Sequence, residues 1–197
     1  FYAKGYFRQG INGKGRQEEH YASTDVNVLP LSKATDQNGE AIRIPIQTYD
    51  CGVIWVGGWS AHVGRSRLIL LDTNVSGNSN EIKALTSQLY GGGHRVRARQ
   101  ELVLGVGGLR MLKAMGIEPG AIHMNEGHSA FVTLELARHL MERDGQTFAN
   151  MREKAASMCG FTTHTPVEAG HDRFEPALVE QLVGPLRHQL GISEAEL

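Results

Sequence analysis

From residue 81 onward, stretches of helical period alternate with apolar runs too short for helices, and this order constrains the fold more than any other feature. EIKALTSQLY (81–90) has helical spacing and is stopped by GGG (91–93). A longer helix follows over about 94–115, with Val96, Leu102, Val103, Val106, Leu109 and Leu112 in period. AIHMN (121–125) then reads as a strand, HSAFVTLELARHLMER (128–143) and FANMREKAASM (148–158) as helices, and CGFTTHT (159–165) as a strand stopped by Pro166. PALVEQLVGPLRHQLG (176–191) closes the chain as a helix interrupted or kinked near Gly184-Pro185. Helix and strand in alternation specify an α/β fold, a parallel sheet covered by helices.

The first part of the chain reads differently. IRIPIQTYD (42–50) alternates as a strand, with Pro45 marking an edge position or bulge. VIWVGGW (53–59) and SRLILLDT (66–73) read as strands of a hairpin or meander. Residues 1–30 give no clear element. The division expected is a β-rich portion over 1–80 and an α/β portion over 81–197. Within the long helix, Gly105, Gly107 and Gly108 each cost about 1 kcal/mol against alanine. Such a cluster implies that another backbone or a ligand approaches closely.

Composition excludes several classes. With 41% hydrophobic and 21% charged residues the chain can bury a core, and disorder is excluded. A net charge of −1 argues against a nucleic-acid partner, since sequence-independent binding needs excess Lys and Arg. No apolar run nears the roughly 20 residues of a membrane helix, and no signal peptide is visible, so a membrane role is not expected and a cytoplasmic location is. Cys51 and Cys159 read as buried free thiols. The chain opens on Phe1 and stops soon after a helical pattern, as expected of a piece of a longer protein.

Chemistry concentrates at the ends of the two strands. The first delivers Asn125, Glu126, Gly127 and His128; the second delivers Thr162, Thr163, His164 and Thr165, then Glu168, His171 and Asp172. In open α/β sheets ligands bind beyond the carboxyl ends of strands. Asn, His, Thr and a carboxylate all suit sugar hydroxyls, and a carboxylate beside an imidazole fixes its tautomer. Blander roles compete: Asn125 and Ser129 suit helix capping, Glu126 suits the helix dipole, and His128 and His164 suit buried, satisfied positions. His123, Glu126 and His128 raise a metal reading, but H-x-x-E-x-H is not the H-E-x-x-H of zinc proteases and no metal is expected. LGVGGL (104–109) is no dinucleotide fingerprint. HRVRAR (94–99) is either a solvated helix face or an anion-facing surface.

The stretches GYFRQGI, HVGRSRLILLDTNV, LYGGGHRVRARQELVLGVGGLRML, IHMNEGHSAF and FTTHTPVEAGHDRF together resemble the α-glucan phosphorylase family (glycogen, starch and maltodextrin phosphorylases), in its divergent bacterial and archaeal branch. The resemblance covers nearly all of residues 1–191. It implies a glycosyltransferase of GT-B architecture, with two Rossmann-like domains across a cleft. Its reaction is transfer of a terminal α-1,4-linked glucosyl unit to phosphate, giving glucose 1-phosphate. Pyridoxal phosphate would be bound by a C-terminal domain with which this one pairs, and the enzyme could be a homo-oligomer.

Carried over by motif, His164 matches the family's catalytic-site histidine that holds the glucosyl unit. Glu126 matches an acidic position that orients it. Asn125, His128 and Thr163 line the same site, and Gly92 and His94 belong to the loop that gates or lines the cleft, with Arg97 and Gln100 in the helix behind. Gly93 stands where an aspartate is usual. A chain without the cofactor lysine and the phosphate-binding residues is expected not to turn over alone. A non-catalytic sugar-binding module is the alternative of a different class.

Overall fold

The computed structural model describes residues 3–5, 7–88, 92–167 and 171–197. Among these, the sheets are three. An antiparallel hairpin joins β1 (Phe7–Ile11) to β2 (Gln17–Tyr21). Four antiparallel strands follow, β3 (Ser32–Lys33), β4 (Arg43–Thr48), β5 (Gly52–Val63) and β6 (Ser66–Asp72), with β5 bonded to the other three. The third sheet is the parallel pair β7 (Ile122–Asn125) and β8 (Cys159–Thr162). The fold is thus mixed α/β, and among the described residues its parallel part is two strands wide.

β4 alternates as its sequence requires: Ile44, Ile46 and Thr48 point inward while Arg43, Pro45 and Gln47 face out. Pro45 sits where expected, on a strand bonded only to β5, so its missing N–H interrupts no second ladder. β5 and β6 form the anticipated hairpin, turned at Gly64-Arg65 with Gly64 at φ +60°.

The long helical stretch lies against this sheet. It begins as α2 (His94–Leu102), loosens into one π-helical stretch (Val103–Gly107) and resumes as α3 (Gly108–Ala114). Its buried residues Ala98, Leu102, Val103, Val106, Leu109 and Met111 join Ile46, Ile54, Val56 and Leu71 of the sheet in one core. Of the three glycines, Gly105 has the cause expected, whereas a Cβ on Gly107 or Gly108 would meet only side-chain ends such as those of Ile46 and Leu71. A Cβ on Gly105 would stand 2.7 Å from the amide nitrogen of Val132 and 2.9 Å from the carbonyl of Ser129. The turn that enters α4 (Val132–Asp144) therefore rests directly on this helix, and the π stretch lies where the two backbones touch.

α4 packs through Leu136 and Leu140, and its Glu135 is held between Arg110 (2.7 Å) and Arg138 (2.7 Å) although almost fully buried. α5 (Phe148–Ser157) returns the chain to β8. α6 (Pro176–Leu190) buries Leu182, Val183, Leu186 and Leu190.

Three element boundaries depart from expectation. α6 runs as one helix through Pro185, and the Tyr49 ring packs on Gly184, 2.3 Å from where a Cβ would lie. The helix expected over 81–90 is α1 (Asn80–Ala84), capped by Ser79, with turns after it; Leu89 and Tyr90 lie outside the described residues. β8 ends at Thr162, since the next three residues give their polar groups to the site rather than to a ladder. No described helix is long and apolar enough to cross a membrane.

Candidate functional site

The parallel pairing sets Asn125 opposite Thr162, so both strands end side by side. Immediately beyond, Glu126 adopts φ +61°, the one positive φ at a non-glycine among the described residues. Such backbone is strained and persists only where surrounding contacts hold it. Here the contacts are made by the carboxylate. Oε1 accepts the backbone N–H of His164 (2.7 Å) and of Thr165 (2.8 Å), and Oε2 accepts the hydroxyl of Thr163 (3.1 Å). The amide of Glu126 in turn donates to the carbonyl of Thr162 (2.9 Å). The backbone bond from His164, with the other donors, outweighs desolvation and holds the Glu126 carboxyl down at about 2.

The His164 ring lies between two neighbours. Nε2 is 3.0 Å from the amide oxygen of Asn125, and Nδ1 is 3.3 Å from Glu126 Oε1. Both nitrogens face acceptors, so the ring is aimed and held, with its remaining edge toward solvent. A neutral ring carries one N–H and so donates to only one of these acceptors, and the arrangement fixes the orientation of an exposed imidazole. The dipole reading of Glu126 and the buried reading of His164 are both displaced: the carboxylate serves another strand's turn, and the imidazole is exposed.

His128 belongs to a neighbouring group. Its Nδ1 lies 3.2 Å from Glu101 Oε1 and 3.8 Å from Asp172. Arg97 spans the same group, 2.8 Å from Asp172 and 3.6 Å from Glu101. HRVRAR is divided: His94 and Arg95 are exposed, whereas Arg97 and Arg99 are less so and are engaged by carboxylates. Arg97 reaches Asp172, while Arg99 is buried and donates to Asp50 (2.6 Å) and to Glu81. Burial pushes the Glu101 carboxyl up to about 7; His128 opposes this and Asp172 adds to it. Burial also raises Asp172, but bonds from Arg97 and Glu101 outweigh it and leave that carboxyl below its usual range.

The metal reading fails on geometry. His123 Nε2 is bonded to Thr162 Oγ1 (2.8 Å) and Glu126 is saturated by N–H and O–H donors, so neither converges with His128. The carboxylates that do converge with His128 share an arginine, whose charge already occupies the role of a cation.

Thus Asn125, Glu126, Thr163 and His164 are joined directly. Gly92 and His94 are not: they lie exposed at the start of α2, one turn before Arg97, and among the described residues neither bonds to the Glu126–His164 group. Gly92 has φ +80° and a Cβ there would strike Val96 at 2.7 Å, so its glycine is required by the helix start. Gly91 and Glu168 lie outside the described residues. Glu101 was not legible as a site residue; the signal available was its position four after Arg97 on one helix face. A mostly apolar groove of about 1190 Å³ is lined by Asn125 and His123 together with Ile69, Leu71, Leu109 and Leu112.

No protein-family model matches the chain. Over 192 residues it is 38% identical to glycogen phosphorylase of Mycobacterium tuberculosis, covering 95% of this chain and 22% of that protein. Over 180 residues it is 37% identical to maltodextrin phosphorylase of Thermococcus litoralis (91% and 21%) and 32% identical to glycogen phosphorylase of Aquifex aeolicus (91% and 26%). The chain therefore spans roughly a fifth to a quarter of the length of these relatives. The resemblance carried by the motifs is borne out, and over nearly its whole length the chain matches a segment of the α-glucan phosphorylases.

Proposed function

We propose that this chain forms the glucan-side wall of a phosphorylase cleft, where the turn at His164 grips the terminal glucosyl unit. The observation that carries the reading is the Glu126 carboxylate binding the backbone of residues 164 and 165 while the Asn125 amide and Glu126 face the His164 ring. Hydroxyl recognition needs a few polar groups fixed in place. The intact enzyme would be a cytoplasmic glycosyltransferase of GT-B architecture that passes this unit to inorganic phosphate, and it could act as a homo-oligomer. His164 would position the sugar for reaction; Asn125, Thr163 and His128 would shape the pocket, and Gly92 and His94 would border its mouth.

Pyridoxal phosphate does not fit the residues of this site. A Schiff base needs a lysine, and none occurs in 122–130 or 159–175. Bound elsewhere in the intact enzyme, the cofactor would supply a phosphate group for proton exchange with the substrate phosphate. Its lysine and anion-binding residues would come from the C-terminal domain.

The test has two arms. Titrating the 197-residue chain with a maltooligosaccharide should shift the NMR signals of Asn125, His164 and Thr165. The chain alone should release no glucose 1-phosphate from maltodextrin and phosphate, whereas a longer polypeptide carrying it and the cofactor should. A folded, cofactor-loaded longer protein without that product would defeat the reading.

A further inference from the structure

We propose that Asp172, Glu101 and Arg97 are positioning residues: they latch the segment after the His164 turn onto helix α2, and the latch opens as Glu101 loses its proton. The inference rests on the sugar-gripping role proposed for that turn and adds a means of controlling it.

Three contacts make the linkage. His171 Nε2 donates to the carbonyl of Thr165 (3.0 Å), the residue whose own N–H is held by Glu126. The next residue, Asp172, accepts from Arg97 of α2 at 2.8 Å. One oxygen each from Glu101 and Asp172 and Nδ1 of His128 lie within 4.8 Å of one another. The turn at 163–165 is thus tied at one end by Glu126 and at the other through His171 and Asp172 to the helix.

The charge balance of this cluster depends on one proton. Among the described residues, the groups facing Glu101 are Arg97 from its own helix, His128 from the turn before α4, and Asp172 from the segment before α6. With Glu101 protonated, its O–H donates to the Asp172 carboxylate, and Arg97 neutralises what remains. Nδ1 of His128 cannot both accept from Arg97 and donate to Glu101; since Arg97 has Asp172, the N–H belongs toward Glu101. Removing the Glu101 proton sets its carboxylate against that of Asp172 beside the Arg97 guanidinium. Burial is the larger cause of the rise in the Glu101 pKa to about 7 and Asp172 adds to it, so the contact with Asp172 is favoured while Glu101 is protonated and weakens as pH rises through about 7.

The readout is hydrogen exchange at the amides of His164 and Thr165 in the 197-residue chain, corrected for intrinsic rate and compared with core amides of Leu136 and Leu140. Between about one pH unit below and one above the Glu101 value of about 7, protection at 164 and 165 should fall while the core amides stay constant. Glu101→Gln keeps a donor toward Asp172 at every pH and should abolish that dependence, leaving the turn protected. Asp172→Asn should lower protection at both pH values, and Asp172→Glu should restore part of it. Equal protection of the wild type at both pH values, or no loss in Asp172→Asn with its core intact, would overturn the latch. Maltooligosaccharide affinity separates the two readings. If exchange behaves as expected but no sugar binds, the sugar role fails and the latch stands; if sugar binds with exchange insensitive to pH, the latch fails alone.

Discussion

The carboxylate of Glu126 accepts the backbone N–H of His164 at 2.7 Å across 38 residues of sequence. One charged side chain thereby orders the turn of the neighbouring strand. This works because β7 and β8 are adjacent and parallel, so their ends coincide while α4 and α5 fill the chain between them.

Glu126 should give the site an acid limit. Its folded-state pKa, held at about 2 by donors from the 163–165 turn, lies below the ordinary 4.5, so its contribution is complete above about 4.5 and disappears as pH falls through about 2. Thermal melts of the wild type should lose stability across that window, and Glu126→Gln should flatten this part of the profile. An unchanged acid slope in Glu126→Gln would contradict the assignment.

His164→Ala removes the held ring but none of the backbone N–H groups that Glu126 binds. In a longer, active protein it should lower phosphorolysis by about 100-fold, with circular dichroism and melting temperature nearly unchanged because the ring is exposed. Wild-type turnover would remove His164 from the site.

Gly105→Ala should destabilise the fold by about 2 kcal/mol, since its Cβ would meet main-chain atoms of residues 129 and 132 and not flexible side-chain ends. Urea denaturation measures this. Gly108→Ala is the control, because its Cβ would make only an ordinary contact with Leu71 at 3.9 Å, and it should be tolerated.

Glu135→Ala would leave Arg110 and Arg138 without their shared buried carboxylate. A loss of about 3 kcal/mol or more is expected from breaking a buried pair on one side only. A change below about 1 kcal/mol in chemical denaturation would show that solvent compensates both arginines.

Much of this was legible because it is local. The inward alternation of Ile44 and Ile46, the Gly64 turn and the periods of α4 and α5 are set by residues close in sequence. The glycines at 105 to 108 announced a close approach without saying whose backbone would make it. What escaped was long-range. Tyr49 occupies the notch at Gly184 on α6, and no local pattern reveals a partner 135 positions away. Glu101 looked like one more polar residue on a helix until His128 and Asp172 were placed beside it. The grouping of Asn125 with His164 followed from the α/β rule for strand ends, whereas the bonds to backbone at 164 and 165 required coordinates.

The left-handed backbone at Glu126 has a consequence for anyone redesigning this pocket. Conformation and charge are fused there in a single residue. Trimming the side chain discards the acceptor and also releases the twist that aims it. Glutamine there keeps an acceptor oxygen and removes the charge, whereas glycine relieves the strain of the twist and removes the acceptor altogether, so the two swaps together dissect one role from the other.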